Sequence, residues 1–407
     1  MSDDTEAALP ETTGRQPSLW HLPAMRLLAV YTIMGFTGFF ATMSALPAWI
    51  ATRDASDSLA GLVTTVLLAA TVSTQSMVPR IMARFGMTVT LAIGLVALGA
   101  PSLLFLVDGG YWWVLAICAL RGVGFGSMTV LGAMLTARIV PPSRRGEAIG
   151  IYGLAIAVPN LLAVPGGVAL VSAGHFWAVA LLGAAPLLGL PVVRALARAA
   201  AAHDDSPQRR AADAAGIGAR RAARKAAMGP AFVLMVVTLT SGGFMTYLPI
   251  ARPDGALATV ALLVWGAFGA FTRWRIGPVA DRTGLRALLP GSSAVSIVGI
   301  GTVAGGLLLD GAASWTAVLV GAAILGIGYG GTQNLTLVAA FVRARQKETA
   351  TVSSVWNIGF DAGTALGSGL VGLLILAVTI PSALALTSLL IVASLPVAIR
   401  AARPPAA

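Results

Sequence analysis

The sequence predicts an all-α membrane protein of twelve transmembrane helices in two pseudo-symmetric six-helix bundles, and three observations carry that prediction. Hydrophobic residues make up 57% of the chain and charged residues 11%, whereas an ordinary soluble domain carries about 25% charged residues. The apolar residues are gathered into runs near the roughly 20 residues that one bilayer crossing needs. The chain also repeats its own landmarks at a spacing of about 200 residues, which marks duplicated architecture around a central site.

The repeat is visible motif by motif. Ala45-Leu46-Pro47-Ala48 is answered by Tyr247-Leu248-Pro249-Ile250, and Arg84-Phe85-Gly86 by Arg282-Thr283-Gly284. Gly122-Val123-Gly124-Phe125-Gly126 is answered by Gly326-Ile327-Gly328-Tyr329-Gly330. Runs this long, dominated by Ala, Leu, Val and Gly, are compatible with helices, because a barrel strand would alternate polar with apolar.

In chain order, residues 1–26 are a polar tail that begins acidic and lacks the basic-then-apolar order of a cleaved signal. The spans then run 27–51, 59–82, 88–107, 111–137, 147–172 and 175–197 in the first bundle (27–197). The second bundle (229–399) holds 229–251, 256–280, 287–309, 313–341, 349–373 and 378–399, followed by a short tail, 400–407. Between the bundles, 198–228 reads as a basic linker. The wider break from Arg194 to Met228 carries eight Lys and Arg against three Asp. Loops on the opposite face, such as Asp108 to Gly110 and Asp310 to Ala312, are too short to hold a domain, so function belongs among the helices. The single Cys118 has no partner for an internal disulfide and reads as a small hydrophobe.

The net charge of +11 records topology. Arg53 and Arg252 fall on the outer face and Arg121 within a span, while the other basic residues gather on the face that carries both termini. This is the positive-inside bias, and it places both termini in the cytoplasm of a multi-pass cell-membrane protein. Nucleic acid is therefore not expected as a partner. His21, His175 and His203 form no His-Glu-x-x-His run, and no Gly-x-Ser-x-Gly elbow or Gly-x-x-x-x-Gly-Lys loop is present. The sequence thus offers no enzyme motif, metal site or cofactor, and no loop for direct ATP drive.

The most specific stretch is Gly277-Pro278-Val279-Ala280-Asp281-Arg282-Thr283-Gly284-Leu285-Arg286. With twelve spans in two halves, it resembles the major facilitator superfamily signature found between that family's second and third helices and, by repeat, between its eighth and ninth. The resemblance implies a conformational latch built on Gly277, Asp281, Arg282, Gly284 and Arg286. Asp281 would meet the start of the fifth span near Gly146 and Glu147, where the helix macrodipole favours an anion. The first-half copy, Gln75 to Met87, keeps Arg84 and Gly86 but has Ala83 in place of the acid and Pro79 in place of the first Gly. Gln75 stands where Arg273 stands in the second half, so an asymmetric latch is expected. The competing reading is a tight turn whose arginines only set topology.

Two charged residues stand out inside spans: Arg121, and Asp361 as the only acid deep in an apolar run. Arg121, which opens the fourth-span glycine run, resembles the family's fourth-helix Arg linked to proton transfer; the competing reading is a fixed interhelical donor. Asp361 sits about 12 residues into the eleventh span, or about 18 Å along it, where a charge is costly. It is the candidate proton carrier, and Ser354, Asn357 and Ser368 share its helical face; the competing reading is an Asn-Asp packing network that does not titrate. The string Trp356 to Gly363 resembles an eleventh-helix pattern of proton-coupled exporters, and Pro141 to Ala148 resembles the fourth-to-fifth loop of bacterial drug-efflux members. The family's fifth-helix Gly-Pro signature is degraded here, with Val164 before Pro165.

By the same resemblance, helices one, four, seven and ten line a cavity, to which they bring Tyr31, Met128, Thr238, Tyr247, Gln333 and Asn334, with Asn357 from the eleventh. The implied activity is secondary active transport by alternating access, with protons exchanged for export of a small amphipathic organic molecule. The carrier is expected to work as a monomer without cofactor, in the drug/proton antiporter branch. A proton symporter for a sugar or other small metabolite is the rival within transport; a membrane enzyme or receptor is the rival outside it.

Overall fold

The computed structural model describes residues 18–53, 57–140, 144–202, 217–253, 255–344 and 349–403. Among them the structure is helical, with no strand. The first crossing is α1 (Pro23–Met43) with α2 (Ala45–Ala51), followed by α3 (Asp57–Gln75) and then α4 (Val78–Gly99) with a 3-10 extension at Ala100–Leu106. The fourth and fifth are α5 (Gly110–Arg138) and α6 (Arg145–Ser172). The sixth is assembled from α7 (Phe176–Gly183), a 3-10 segment at Ala185–Gly189, and α8 (Leu190–Ala201). The second half comprises α9 (Ile217–Ala251), α10 (Ala256–Thr283), α11 (Leu285–Gly306), α12 (Gly311–Arg343), α13 (Thr349–Leu374) and α14 (Ile380–Ala401).

Eleven of these crossings are long and apolar enough to span a membrane. The twelfth, α13, has the length at 26 residues but is diluted by Asn357, Asp361 and a series of hydroxyls and glycines. Large apolar side chains such as Leu162, Leu188, Phe271, Leu373 and Leu389 point outward from the molecule. Such a surface belongs against lipid.

Local chemistry shapes several crossings. Pro47 has no N–H for the Met43 carbonyl, and the helix breaks at Ser44 between α1 and α2. The Met43 carbonyl is taken up instead by Thr64 Oγ1 of α3 at 3.4 Å. The basic linker is also less loop-like than its charge implies. Helix runs into it from both sides, to Ala201 and from Ile217, while 203–216 lie outside the described residues. Ala, Arg and Lys fill 219–227 and are among the strongest helix formers.

The duplication is present in the packing. Within the first half α3 packs on α5, α4 on α5 and α1 on α6; within the second, α10 packs on α12, α11 on α12 and α9 on α13. These are the same pairs displaced by six crossings. The paired glycine runs do the same work in each half. A Cβ on Gly122 or Gly126 would strike the Leu67 or Thr71 carbonyl of α3, and one on Gly124 would strike the α4 backbone. A Cβ on Gly326 or Gly330 would strike the Trp265 or Gly269 carbonyl of α10, and one on Gly328 would strike Ser296 of α11. Gly86 and Gly284 match as well, at φ 76°, ψ 167° and φ 76°, ψ 175°, a backbone region open to glycine alone.

Two seams join the halves, α3 against α13 and α6 against α10. The repeat exchanges one seam for the other. At the end away from the termini the first seam is tight: Tyr247 of α9 donates from Oη to the Ser368 carbonyl within the second half at 3.0 Å, and its hydroxyl end reaches the seam in the space left by Gly61 of α3 and Gly372 of α13. Thr65 Oγ1 lies 3.1 Å from the Ala365 carbonyl and 3.0 Å from Ser368 Oγ, both across the seam.

Candidate functional site

Further along the α3/α13 seam, toward the end that bears the termini, lies Asp361. It is 6% exposed and is the one buried carboxylate among the described side chains. Gln75, the last residue of α3, donates from Nε2 to Asp361 Oδ2 at 2.6 Å. This bond runs from one half to the other. The same Nε2 lies 3.4 Å from Thr129 Oγ1 of α5, and Gln75 Oε1 is buried with no partner among the described residues. The phenols of Tyr152 on α6 and Tyr329 on α12 also feel the charge of Asp361.

The face of α13 that carries Asp361 grades from open to closed. Ser354 is exposed, Asn357 is half-buried and donates from Nδ2 to the Ser353 carbonyl at 3.0 Å, and Asp361 and Ser368 are buried. Between α10 and α12, Arg273 Nη1 donates to Gln333 Oε1 at 3.0 Å, and Asn334 Nδ2 donates to the Arg273 carbonyl at 3.0 Å. An aromatic chain runs from Trp265 to Tyr329 (centroids 4.7 Å apart), on to Phe360 (6.3 Å) and then to Trp356 (5.9 Å). The Trp356 indole N–H donates to Thr336 Oγ1 at 3.1 Å. The site therefore joins one acid, an amide partner from the opposite half and a strip of aromatic rings that ends on the acid's own helix.

The other candidates are dispersed. Arg121 is fully buried but faces no described carboxylate; it donates to the Leu98 and Gly38 carbonyls at 3.1 and 2.8 Å and sits 5.6 Å over the Phe105 ring. That arrangement clamps α1, α4 and α5 together. Of the expected cavity residues, Asn357 lies one turn before Asp361 on α13, while Gln333 and Asn334 are bonded to Arg273. Tyr31 is buried with its hydroxyl unpartnered, Met128 packs against Gly35, Thr238 bonds to its own helix and Tyr247 closes the far end of the seam. A cavity of about 10 Å³ between α1 and α3, room for about one water, is lined by Phe39, Met43 and Thr64 rather than by those residues.

At the expected latch, the Asp281 side chain lies outside the described residues. Gly277 faces Asn334 with ordinary clearance, so close approach does not require glycine there. Arg84 lies over the Phe85 ring, and Arg282 and Arg286 are exposed. Glu147 is occupied within its own half: it accepts from the Leu19 N–H at 3.0 Å and pairs with Arg144 at 2.7 Å. The Leu19 N–H, and after it Arg144, hold the Glu147 carboxyl below its ordinary range.

Sequence reasoning noted Gln75 only as the counterpart of Arg273 and passed over Tyr152 and the aromatic strip. The signal for Gln75 was available in the repeat. Gln75 and Thr129 correspond to Arg273 and Gln333, the pair that bonds in the second half.

The sequence profile of the Major Facilitator Superfamily matches residues 28–368, most of the chain. The chain belongs to this superfamily. Solved structures of similar fold include a bacterial homologue of the human lysosomal transporter Spinster in an inward-facing, unoccupied conformation. It is 17% identical, with a TM-score of 0.68 over 93% of this chain and 95% of that one. Another is a POT family transporter in complex with 5-aminolevulinic acid, 13% identical, with a TM-score of 0.71 over 93% and 96%. At these identities the likeness establishes the fold. No curated protein matches the chain. Membership makes this protein a multi-pass membrane transporter of small molecules.

Proposed function

We propose that the protein is a proton-coupled secondary transporter of the cell membrane, working as a monomer by alternating access and exporting small amphipathic organic molecules. Its halves are the bundles 27–197 and 229–399, both termini are cytoplasmic, and Asp361 carries the proton. One observation carries the reading: the single buried carboxylate among the described side chains sits on the seam between the halves and is bonded across it by Gln75 at 2.6 Å. A charge there is costly in an apolar span. Binding a proton removes the charge and weakens the cross-seam bond, which couples protonation to the motion of one half against the other.

The closed far end at Tyr247 and Thr65, together with exposed Ser354 leading to Asp361, supports a state open toward the terminus-bearing side. The aromatic strip suits an adaptable apolar ligand, with Arg273, Gln333 and Asn334 orienting its polar end. Export rests on the likeness of the loop from Pro141 to Ala148 to drug-efflux members. Proteoliposomes with an imposed pH gradient test the reading. Amphipathic substrates should move against the proton gradient in the parent protein, and Asp361→Asn should reduce gradient-driven flux at least tenfold while leaving the helical content unchanged. Full gradient-driven flux in that variant would remove Asp361 as the carrier, and co-movement of substrate with protons would replace export by uptake.

A further inference from the structure

Gln75 offers Asp361 an amide with two unlike ends. Nε2 donates to the carboxylate, while Oε1 is buried without a partner among the described residues. A buried acceptor left empty is unfavourable. A protonated Asp361 would bring an O–H to this pair, and that O–H requires an acceptor.

We propose that Gln75 is the positioning residue that reads the charge of Asp361: its amide donates to the carboxylate, and turns end for end to accept the O–H once the proton is bound. The proposal rests on the reading of Asp361 as proton carrier. The only covalent change is the gain or loss of that O–H, with the proton coming from and returning to water. The Thr129 hydroxyl, 3.4 Å from Nε2, gives its proton to the Gly126 carbonyl at 3.2 Å, and in the turned orientation it can swing that proton to Oε1 instead.

The surroundings leave this role to Gln75. On α12 and α6 the groups within electrostatic range of the carboxyl are the Tyr329 and Tyr152 phenols. From α9 the neighbour is Thr238, which packs at Gly363, and the described cation of α14, Arg400, lies at that helix's last turn. Arg273 of α10 is engaged with Gln333. Among the described residues Gln75 is the hydrogen-bond partner of the carboxyl. The repeat sharpens the point. At the matching position the second half holds Arg273, a permanent cation that can only donate. An arginine at 75 would pin Asp361 in its charged form, whereas an amide serves both forms.

Infrared titration of the reconstituted protein tests this. The parent should show a protonated-carboxyl band that is lost in Asp361→Asn. In Gln75→Met the midpoint of that band should move up by about one pH unit and its frequency should rise, because a donor to the charged form has been removed. In Gln75→Arg the band should vanish across the working range. A correctly folded Gln75→Met with unchanged midpoint and frequency overturns the proposal while leaving the carrier reading intact. If neither variant folds, labelled glutamine in the parent decides: a side-chain amide band that follows the same titration supports the proposal, and one that stays fixed overturns it. Should no carboxyl band depend on Asp361, the carrier reading fails first, and this proposal with it.

Discussion

The two charges buried inside the spans do different work, and their partners show why. Asp361 meets an amide from the opposite half, so its bond must change whenever the halves move. Arg121 meets carbonyls of α1 and α4 and a ring, all within its own half. Arg121→Lys, which cannot span both carbonyls, should therefore lower stability by roughly 1–3 kcal/mol while preserving gradient-driven flux. Thermal unfolding alongside transport checks this; loss of coupling at unchanged stability would give Arg121 the proton-transfer role instead. Glu147 adds a pH dependence. Its carboxyl is held low by the Leu19 N–H and then by Arg144, so its contribution is present above about 4.5, its ordinary value, and is lost as the pH falls further. Protection of the Leu19 N–H against hydrogen exchange, relative to its intrinsic rate, should fall below that pH in the parent and be lower and independent of pH in Glu147→Gln. Both charged positions were legible in the sequence as buried or loop charges. Which of them crosses the seam was not, because the repeat spacing does not say which faces meet.

At the scale of the helix, glycine placement decides how closely elements approach. Gly124→Val puts a branched side chain into the α4 backbone, and no rotamer avoids it, so a loss of roughly 1–3 kcal/mol or misassembly is expected. Gly301, whose added Cβ would meet nothing, should tolerate the same change; equal losses at both positions would contradict the packing described. The latch is a prediction of the same scale. Asp281→Asn should raise the labelling of cysteine probes on the terminus-bearing face by favouring the state open there, and unchanged labelling would count against the latch. Helix existence was legible because long apolar runs leave no alternative in a bilayer. Helix ends were not. The Ala-rich start of α9 reads as linker by charge yet folds by propensity, and Ser44 becomes a break only because Pro47 leaves a carbonyl that Thr64 can reach.

At the scale of the whole molecule, the duplication yields two equivalent halves and two seams that exchange under the repeat. The sequence matches of Gly86 with Gly284 and across the two glycine runs mark this correspondence, since both sets need glycine for backbone reasons. The halves depart from symmetry at this point: glutamine bonds to an acid across one seam, while its counterpart arginine bonds within its own half. Rocking about the seams should open one end as it closes the other. Spin labels placed in pairs at exposed Phe85 and Thr283, on the terminus-bearing end, and at exposed Val107 and Leu308, on the other, measure this directly. Between pH values that charge and neutralise Asp361, the two distances should change in opposite senses, and Asp361→Asn should hold both at the neutral-form values. Distances that stay fixed with pH, or that lengthen and shorten together at both ends, would contradict the account.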